Sequence, residues 1–314
     1  MKAVLQYRAS PGFIGRIATT SPDWLDIAVI DEADRETFAA AITDADVLLH
    51  VLETVTAEVI ASAPALRLIQ KIGVGVNTID LEAAKRHDVA VCNMPGTNSR
   101  AVAEMTLALM LAALRRVPYF DARMRAGDGW TAELTAFDGL GEIAGRTIGL
   151  VGYGDVARLL APVLKSMGAT VLYTATAEKA DADAAWRELP ALLSEADIVS
   201  LHLPQTATTE RMIDAAALAA MKPGAVLVNT ARGGLVDEAA LFAALESGHL
   251  RAAGLDVVTL EPAPGGNPLF GLDNVVVMPH IGWNTPETLD RSLGIVFENC
   301  RRLRDGEDLL HRVV

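Results

Sequence analysis

The chain has 314 residues, 51% of them apolar and 21% charged, so it can bury a large core and is expected to form about two domains. The formal net charge of −13, with no basic stripe, argues against a nucleic-acid partner because nothing would neutralise the phosphates. Two cysteines, Cys92 and Cys300, give neither a disulfide framework nor a metal-ligand spacing, so we expect a reduced, cytoplasmic location and no metal. No signal peptide or membrane segment is predicted, since the longest apolar stretch, 101–114, is shorter than the ~20 residues of a membrane helix.

Strand-like and helix-like segments alternate along the first third of the chain, which is typical of α/β folds with parallel sheets. Short helices are predicted at 38–41 and 56–63, and a long apolar helix at 99–126 with Asn98 or Ser99 as its N-cap. A loop rich in Gly and Asp follows at 127–145. The predicted strands of this first series are 3–7, 26–30, 47–51, 66–72 and 89–93.

A second α/β series begins at Arg146, and a last helix is predicted at about 285–304. Its predicted strands are 147–151, 170–174, 197–201, 225–229, 252–256 and 275–278. Six parallel strands with intervening helices make a full dinucleotide-binding fold, which normally starts at its glycine-rich strand.

The residues before that strand therefore belong to another domain, which the final helix would complete. The predicted fold class is α/β with two doubly wound parallel-sheet domains. A Rossmann dinucleotide-binding domain at 99–284 is inserted in a flavodoxin-like substrate domain at 1–98 and 285–314. The cleft between them is expected to hold substrate and cofactor.

A glycine-rich motif lies at 147–157, Thr-Ile-Gly-Leu-Val-Gly-Tyr-Gly-Asp-Val-Ala. Gly152 allows a tight turn, Gly154 lets the backbone approach a pyrophosphate, and Ala157 takes the place of the third glycine. A helix from Asp155 to Lys165 would direct its first amides at the phosphates. Glycines also punctuate ordinary turns, but this motif follows a strand and opens a helix, so it predicts dinucleotide binding.

Three polar residues follow strands in the second series: Arg232, Glu261 and His280. Ligands of open α/β sheets bind just beyond the carboxyl ends of the strands. A cation, a carboxylate and an imidazole there make a site for an anionic carbonyl compound. Taken singly, Arg232 is more often a solvated charge, Glu261 a cap before Pro262 and His280 a structural histidine.

Six motifs in order resemble the D-isomer-specific 2-hydroxyacid dehydrogenase family, in its glyoxylate/hydroxypyruvate reductase-like form. They are the glycine motif, 201–206 (LHLPQT), 229–234 (NTARGG), 255–257 (LDV), 261–262 (EP) and 279–282 (PHIG). The resemblance covers nearly the whole chain and implies an interrupted substrate domain and a homodimer.

The resemblance implies reduction of a 2-keto acid to the D-2-hydroxy acid with hydride from NAD(P)H, and the chemistry of the three residues agrees with the roles that it implies. His280 would be the proton donor, and Glu261 would hydrogen-bond its other ring nitrogen and favour the protonated ring. Arg232 would bind the substrate carboxylate and polarise the carbonyl. The loop 72–77 resembles the family loop whose backbone amides receive the substrate carboxylate, with Val74 and Gly75 at the matching positions, although a plain turn is the alternative.

On the cofactor side, the resemblance adds several positions to Gly152 and Gly154. Asp256 would accept a hydrogen bond from the carboxamide, or else serve as a structural turn residue. Further expected cofactor contacts are Asp155 and Val156 at the pyrophosphate, Leu203 and Pro204 near the adenine, and Thr230, Ala231, Arg232, His280 and Gly282 near the nicotinamide.

The adenosine end departs from the NAD-specific pattern, because Ala175 stands where an acidic residue would bind the ribose hydroxyls. Thr174 and Thr176 would donate to a 2′-phosphate, and Lys179 is the nearby cation in the sequence. NADP is therefore the favoured cofactor, with NAD as the alternative.

Trp283 follows the expected catalytic motif, where smaller residues are common in the family. It would either narrow the cleft or pack against the final helix. Arg100 is interpreted as a solvated charge.

Three alternative functions remain open from the sequence. One is a phosphoglycerate-type dehydrogenase, for which the C-terminal regulatory domain that some members carry is missing. Another is a non-catalytic NAD(P)-sensing binding protein, which would usually carry partner-binding extensions. A formate dehydrogenase is disfavoured, since Glu261 stands where that group is expected to have glutamine.

Overall fold

The computed structural model describes residues 1–131 and 134–314. The chain divides into two compact units: unit 1 is Met1–Asn98 with Asn284–Val314, and unit 2 is Ser99–Trp283. Each unit is built on its own parallel sheet flanked by helices. The predicted fold class, with two parallel-sheet α/β domains, is therefore confirmed.

Unit 1 contains a five-stranded parallel sheet in the order β2-β1-β3-β4-β5, which is the flavodoxin-like order. The strands are β1 Lys2–Gln6, β2 Asp26–Ile30, β3 Val47–His50, β4 Leu68–Lys71 and β5 Ala90–Cys92. The helices between them are α1 Pro11–Thr20, α2 Arg35–Ile42, α3 Ala57–Ala61 and α4 Leu81–Arg86.

Local sequence explains where these helices begin. Each starts after a residue whose side chain accepts a hydrogen bond from a first-turn amide, and these caps are Ser10, Asp34, Thr56 and Asp80. Helix α1 was missed in the sequence because Gly12 and Gly15 weaken its pattern, and only Phe13 and Ile17 are buried.

The C-terminal segment completes unit 1. In the buried interior, Asn299 donates from Nδ2 to Oε1 of Gln70 on β4 at 2.6 Å. The amide of Val313 donates to the carbonyl of Val91 on β5 at 2.7 Å. Residues near the end of the described chain thus pair with strands formed by its first hundred residues.

Unit 2 contains a seven-stranded parallel sheet in the order β12-β11-β10-β9-β6-β7-β8, which extends the dinucleotide-binding order by one strand. The strands are β6 Thr147–Val151, β7 Thr170–Thr174, β8 Ala185–Trp186, β9 Ile198–Leu201, β10 Ala225–Asn229, β11 Leu250–Leu255 and β12 Val275–Val277. The helices of unit 2 are α5 Ser99–Arg115, α6 Val117–Ala126, α7 Thr135–Asp138, α8 Asp155–Ser166, α9 Leu189–Glu195, α10 Ala215–Ala220 and α11 Glu238–Glu246. Helix α12, Pro286–Asp305, follows in unit 1.

Two sequence predictions for unit 2 were wrong. Six strands were predicted, but the two-residue β8 is a seventh and is too short to show a period of two. The long helix predicted at 99–126 is broken at Arg116, which has a left-handed φ of 50°. Pro118 explains the break, since a proline inside a continuous helix would clash with the carbonyl four residues earlier.

The predicted loop 127–145 also contains α7, while Ala132 and Glu133 of that loop lie outside the described residues. Most strand bounds agree with the sequence to within one residue, and the largest difference is two residues, at the start of β4 and β11. Within the described ranges, no helix is long and apolar enough to cross a bilayer.

Candidate active site

Three neighbouring strands of unit 2 place the predicted residues at one edge of the sheet. Strands β10, β11 and β12 are adjacent and parallel, so their carboxyl ends lie on the same side. Arg232 follows β10, Glu261 lies in the loop after β11, and His280 follows β12. This is the edge at which open α/β sheets bind ligands.

His280 and Glu261 form a direct pair. Nδ1 of His280 lies 2.6 Å from Oε2 of Glu261, and Oε1 accepts the amide of Val258 at 3.0 Å. Burial raises the pKa of Glu261, but the hydrogen bond to His280 and its charge outweigh this, and the pKa is lowered. The pairing through Nδ1 leaves Nε2 of the imidazole for another partner.

Asp256 holds the backbone that carries His280. It is 3% exposed, and its two carboxylate oxygens accept the amides of Ile281 and Gly282, each at 2.9 Å. Its carbonyl accepts the amide of His280 at 2.8 Å, and His280 has a left-handed φ of 55°. Burial raises the pKa of Asp256 despite these amide hydrogen bonds. Such a backbone conformation persists only where neighbours fix it, and Asp256 provides that support.

Asn229 fixes the loop that carries Arg232. Its buried side chain donates to the carbonyl of Arg232 at 2.9 Å and accepts the amide of Ala231 at 3.0 Å. Desolvation lowers the pKa of the Arg232 guanidinium, while the charge of Glu261 acts in the opposite direction. Arg232 and Glu261 are therefore electrostatically coupled, although no direct hydrogen bond joins them in the described contacts.

Gly233 brings the Arg232 loop against the Glu261 loop. A Cβ added at Gly233 would lie 2.0 Å from the carbonyl carbon and oxygen of Val258, so no larger residue fits without movement. Val258 is the residue whose amide donates to Glu261. The close approach of two backbones thus sets the spacing between the loops.

Thr106 on α5 was not predicted as part of this region. Its hydroxyl donates to the carbonyl of Val102 at 2.7 Å and lies 2.8 Å from the hydroxyl of Thr230. Thr106 is fully buried and Thr230 is 8% exposed, so α5 fixes the residue expected near the nicotinamide. The sequence feature that could have identified Thr106 was a threonine at a buried position of an apolar helix.

The glycine-rich motif forms a tight turn between β6 and α8. Gly152 has φ of 94°, donates to the carbonyl of Thr174 at 2.9 Å, and leaves no room for a Cβ beside the carbonyl of His202. Gly154 caps α8 and has open space where a Cβ would be. Ala157 is fully buried. The first turn of α8, where Asp155 and Val156 lie, therefore remains the candidate phosphate site.

At the other end of the predicted cofactor site, Ala175 is partly buried against the aromatic cluster of Tyr153 and Tyr173, whose ring centroids are 4.3 Å apart. Arg158 on α8 lies over the Tyr153 ring at 5.3 Å and binds both carboxylate oxygens of Asp181, at 2.9 and 3.1 Å. Arg158 is thus a second cation near the loop after β7, in addition to Lys179, which lies in that loop. It was missed because it lies earlier in the chain.

The other predicted positions are placed as follows. Val74 and Gly75 follow β4 in unit 1, where Val74 is 45% exposed. Leu203 and Pro204 follow β9, Thr176 follows Thr174 at the end of β7, and Trp283 is partly buried. Across residues 1–131 and 134–314, no group of three or more His, Cys, Asp or Glu side chains is arranged to hold a metal ion.

Comparison with known proteins relates this geometry to a family. Residues 107–282 match the model of the D-isomer specific 2-hydroxyacid dehydrogenase NAD binding domain. The D-3-phosphoglycerate dehydrogenase of Mycobacterium bovis is 43% identical over 290 residues, which are 91% of this chain and 54% of the relative. The chain therefore spans about half the length of that relative. The glyoxylate reductase of Korarchaeum cryptofilum is 37% identical over 88% of this chain and 86% of its own.

Solved structures agree over the whole chain. The TT0316 protein of Thermus thermophilus is 36% identical, with a TM-score of 0.89 and complete coverage of both chains. D-lactate dehydrogenase of Lactobacillus jensenii, solved with NAD+, has 30% identity and a TM-score of 0.82, again with complete coverage. An NADPH-dependent glyoxylate/hydroxypyruvate reductase of Sinorhizobium meliloti, solved with NADP and malonate, has 25% identity and a TM-score of 0.83, covering 100% of this chain and 96% of its own.

Proposed function

Since the chain belongs to the D-isomer specific 2-hydroxyacid dehydrogenase family, we propose that it reduces a small 2-keto acid to the D-2-hydroxy acid with NAD(P)H. The observation that carries this proposal is the 2.6 Å contact between His280 and Glu261, with the partly buried Arg232 at a neighbouring strand end. An imidazole oriented by a carboxylate and a coupled guanidinium are the groups that carbonyl reduction of an anion needs.

In the proposed mechanism, Nε2 of His280 donates a proton to the carbonyl oxygen of the substrate. Glu261 holds Nδ1 and thereby orients the ring through a charge-assisted hydrogen bond. Arg232 binds the substrate carboxylate and polarises the carbonyl. A nicotinamide cofactor held by unit 2 would supply the hydride. The chain's contribution is to orient these groups, and Asp256 and Asn229 do so by fixing the backbones of the two loops.

In unit 1, we assign binding of the substrate carboxylate to the amides of Val74 and Gly75. In unit 2, we assign pyrophosphate binding to the turn at Gly152 and Gly154 and the first turn of α8. Leu203 and Pro204 are assigned to the adenine. We also assign Asp256 to the carboxamide of the cofactor. Its oxygens would accept that hydrogen bond and keep the two backbone amide hydrogen bonds already described.

For the cofactor, we favour NADP over NAD. Ala175 leaves no carboxylate at the end of β7 to repel a 2′-phosphate, and Thr174 and Thr176 flank it. Arg158 supports this preference, since its guanidinium reaches the loop after β7 and could exchange Asp181 for a phosphate. Related structures hold NAD+ in one case and NADP in another, so the preference must be measured on this protein.

The leading substrates are glyoxylate and hydroxypyruvate, for which relatives are named. A phosphoglycerate-type dehydrogenase is the second candidate, because a relative with 43% identity carries that name. The decisive experiment is a spectrophotometric screen of 2-keto acids, including 3-phosphohydroxypyruvate, with NADH and NADPH. Cofactor binding without turnover of any of these acids would contradict the proposal and favour a nucleotide-sensing protein.

Variants of the proposed residues test the mechanism. His280→Ala and Arg232→Ala should each reduce kcat/KM by about 10²–10⁴-fold while the protein stays folded. Exposed residues provide matched controls: His87→Ala and Arg125→Ala should retain wild-type rates. Near-normal turnover in either active-site variant, with folding verified by circular dichroism, would exclude the assignment.

We further propose a homodimer. The exposed side chains of Trp130 (92%) and Leu134 (83%) provide apolar surface in unit 2 that a second copy would cover. Light scattering in solution measures this directly, and a monomeric mass at micromolar concentration would contradict it.

A further inference from the structure

A buried polar cluster lies at the carboxyl ends of β3 and β4 in unit 1. His50 is the last residue of β3 and Lys71 the last of β4, and the two are register partners in the sheet. They are 3% and 8% exposed, respectively. A lysine buried this deeply is uncommon because removing an ammonium group from water is costly, so its position calls for a role.

The contacts of Lys71 and His50 and the pKa of His50 indicate which groups of the cluster are charged. Lys71 donates from Nζ to the carbonyl of Val51. Nε2 of His50 pairs with the carbonyl of Glu53, so it carries the proton, and the Thr78 hydroxyl lies 3.4 Å away. Burial and then the charge of Lys71 lower the pKa of His50 to about 4. The imidazole is therefore neutral near pH 7, and Nδ1 is buried with no hydrogen-bond partner in the described part of the chain.

Lys71 lies directly beneath the loop 72–77. Gly73 has φ of 140°, and a Cβ added there would be 3.3 Å from Cε of Lys71, so the lysine stem packs under the first glycine of the loop. The carbonyl of Gly73 accepts the amide of Met94 at 2.8 Å, and the carbonyl of Val74 accepts the Asn93 side chain at 3.0 Å. Both acceptors are thus paired with residues that follow β5.

The loop itself carries no charge, since its sequence is Ile-Gly-Val-Gly-Val-Asn. The chain as a whole is strongly acidic, with a net charge of −13, and its overall field disfavours an anion. A cation in the buried layer beneath the loop acts at short range and is screened less than a surface charge. The amides of the loop and the ammonium below it would therefore act together on an anion above.

We propose that Lys71 is a positioning residue that provides the fixed positive charge under an anion-binding loop at 72–77 in unit 1. The anion is a carboxylate of the 2-keto acid class, and in this respect the inference rests on the proposed function. The neutral His50 fills the space beside Lys71 without adding a second charge, which would make the buried cluster costly. Lys71 acts through substrate binding and has no part in proton or hydride transfer.

The test separates charge from hydrogen bonding and from packing. Lys71→Gln keeps a donor for the Val51 carbonyl but removes the charge, Lys71→Met keeps only the stem, and Lys71→Arg keeps the charge. Lys85→Met on α4 is the matched control, since this lysine is 55% exposed in the same unit. The measurements are KM and kcat for the best 2-keto acid, KM for the cofactor, and the Kd of oxalate by calorimetry with and without cofactor.

We expect Lys71→Gln and Lys71→Met to raise KM for the acid and Kd for oxalate about tenfold, a change equivalent to ~1.4 kcal/mol. The value of kcat should stay within about twofold, the cofactor KM should be unchanged, and Lys71→Arg should restore most of the affinity. Wild-type oxalate affinity in Lys71→Gln would overturn the inference, whether or not Lys71→Met folds. If the wild-type protein reduces no 2-keto acid, the proposed function fails, and oxalate binding to wild type and Lys71→Gln still decides the role of Lys71.

Discussion

Replacing Glu261 by glutamine should slow 2-keto acid reduction while the protein stays folded. Burial raises the pKa of Glu261, but the hydrogen bond to His280 and the charge of that ring lower it, so the side chain is an ionised carboxylate that holds Nδ1 of the imidazole. Glutamine has nearly the same size but no charge, so the variant loses the charge-assisted hydrogen bond that orients the proton donor.

The size of the effect follows from the pair's geometry. A hydrogen bond to a charged group contributes about 1.5–3 kcal/mol. The 2.6 Å contact is short, but the side chains of His280 and Glu261 are 24% and 34% exposed, so solvent screening places the value near the lower end. Since about 1.4 kcal/mol corresponds to a factor of ten in rate, we expect kcat/KM to fall about tenfold.

The assay is kcat/KM for reduction, measured at saturating cofactor. Glu238→Gln is the matched control, because Glu238 supports the same loop through the amide of Thr259 and the side chain of Asn267 and makes no described contact with His280. An unchanged kcat/KM in Glu261→Gln would refute the reasoning. An equal decrease in Glu238→Gln would show that loop distortion, rather than loss of the charge, is the cause.

Three further substitutions test the supporting structure. Gly233→Ala should lower kcat/KM at least about tenfold by pushing the Arg232 loop away from Val258, whereas Gly265→Ala, with open space around it, should be silent in the same kinetic assay. Asp256→Asn should lower the melting temperature and kcat together, because the new amide group presents a donor to one of two backbone amides; unchanged values in calorimetry and kinetics would refute this. Ala175→Asp should shift the ratio of kcat/KM values towards NADH by about tenfold or more, and a wild-type ratio already favouring NADH strongly would contradict the interpretation of this position.

Features encoded in short segments were predictable from the sequence. The strand, glycine turn and helix at 147–166 follow from an aliphatic run, Gly152 and Gly154, and all three form as predicted. The strands at 147–151, 170–174 and 225–229 match the observed bounds, because buried parallel strands are continuous apolar runs, and the edge strand at 26–30 matches as well. The break at Arg116 was also present in the sequence, as Pro118.

Features that depend on the packing of distant segments were not predictable. The approach of Gly233 to Val258 is a contact between two backbones, which a glycine in a turn motif does not reveal. Thr106 contacts Thr230 and Arg158 contacts Asp181 only because α5 and α8 pack on the sheet with a particular rotation. Periodicity predicts which face of a helix is buried, but not which polar atoms meet there.

Because the C-terminal segment packs in unit 1, the two units complete their folding in a particular order during synthesis. Residues 99–283 can complete their sheet as soon as they leave the ribosome, whereas β4 and β5 acquire Asn299 and Val313 as partners only after nearly the whole described chain has been synthesised. Of the two units, the one whose synthesis begins earlier is thus the one that is completed later. Until then, part of the apolar surface of its strands stays exposed. Nascent chains in this condition depend on chaperones and are prone to misassembly.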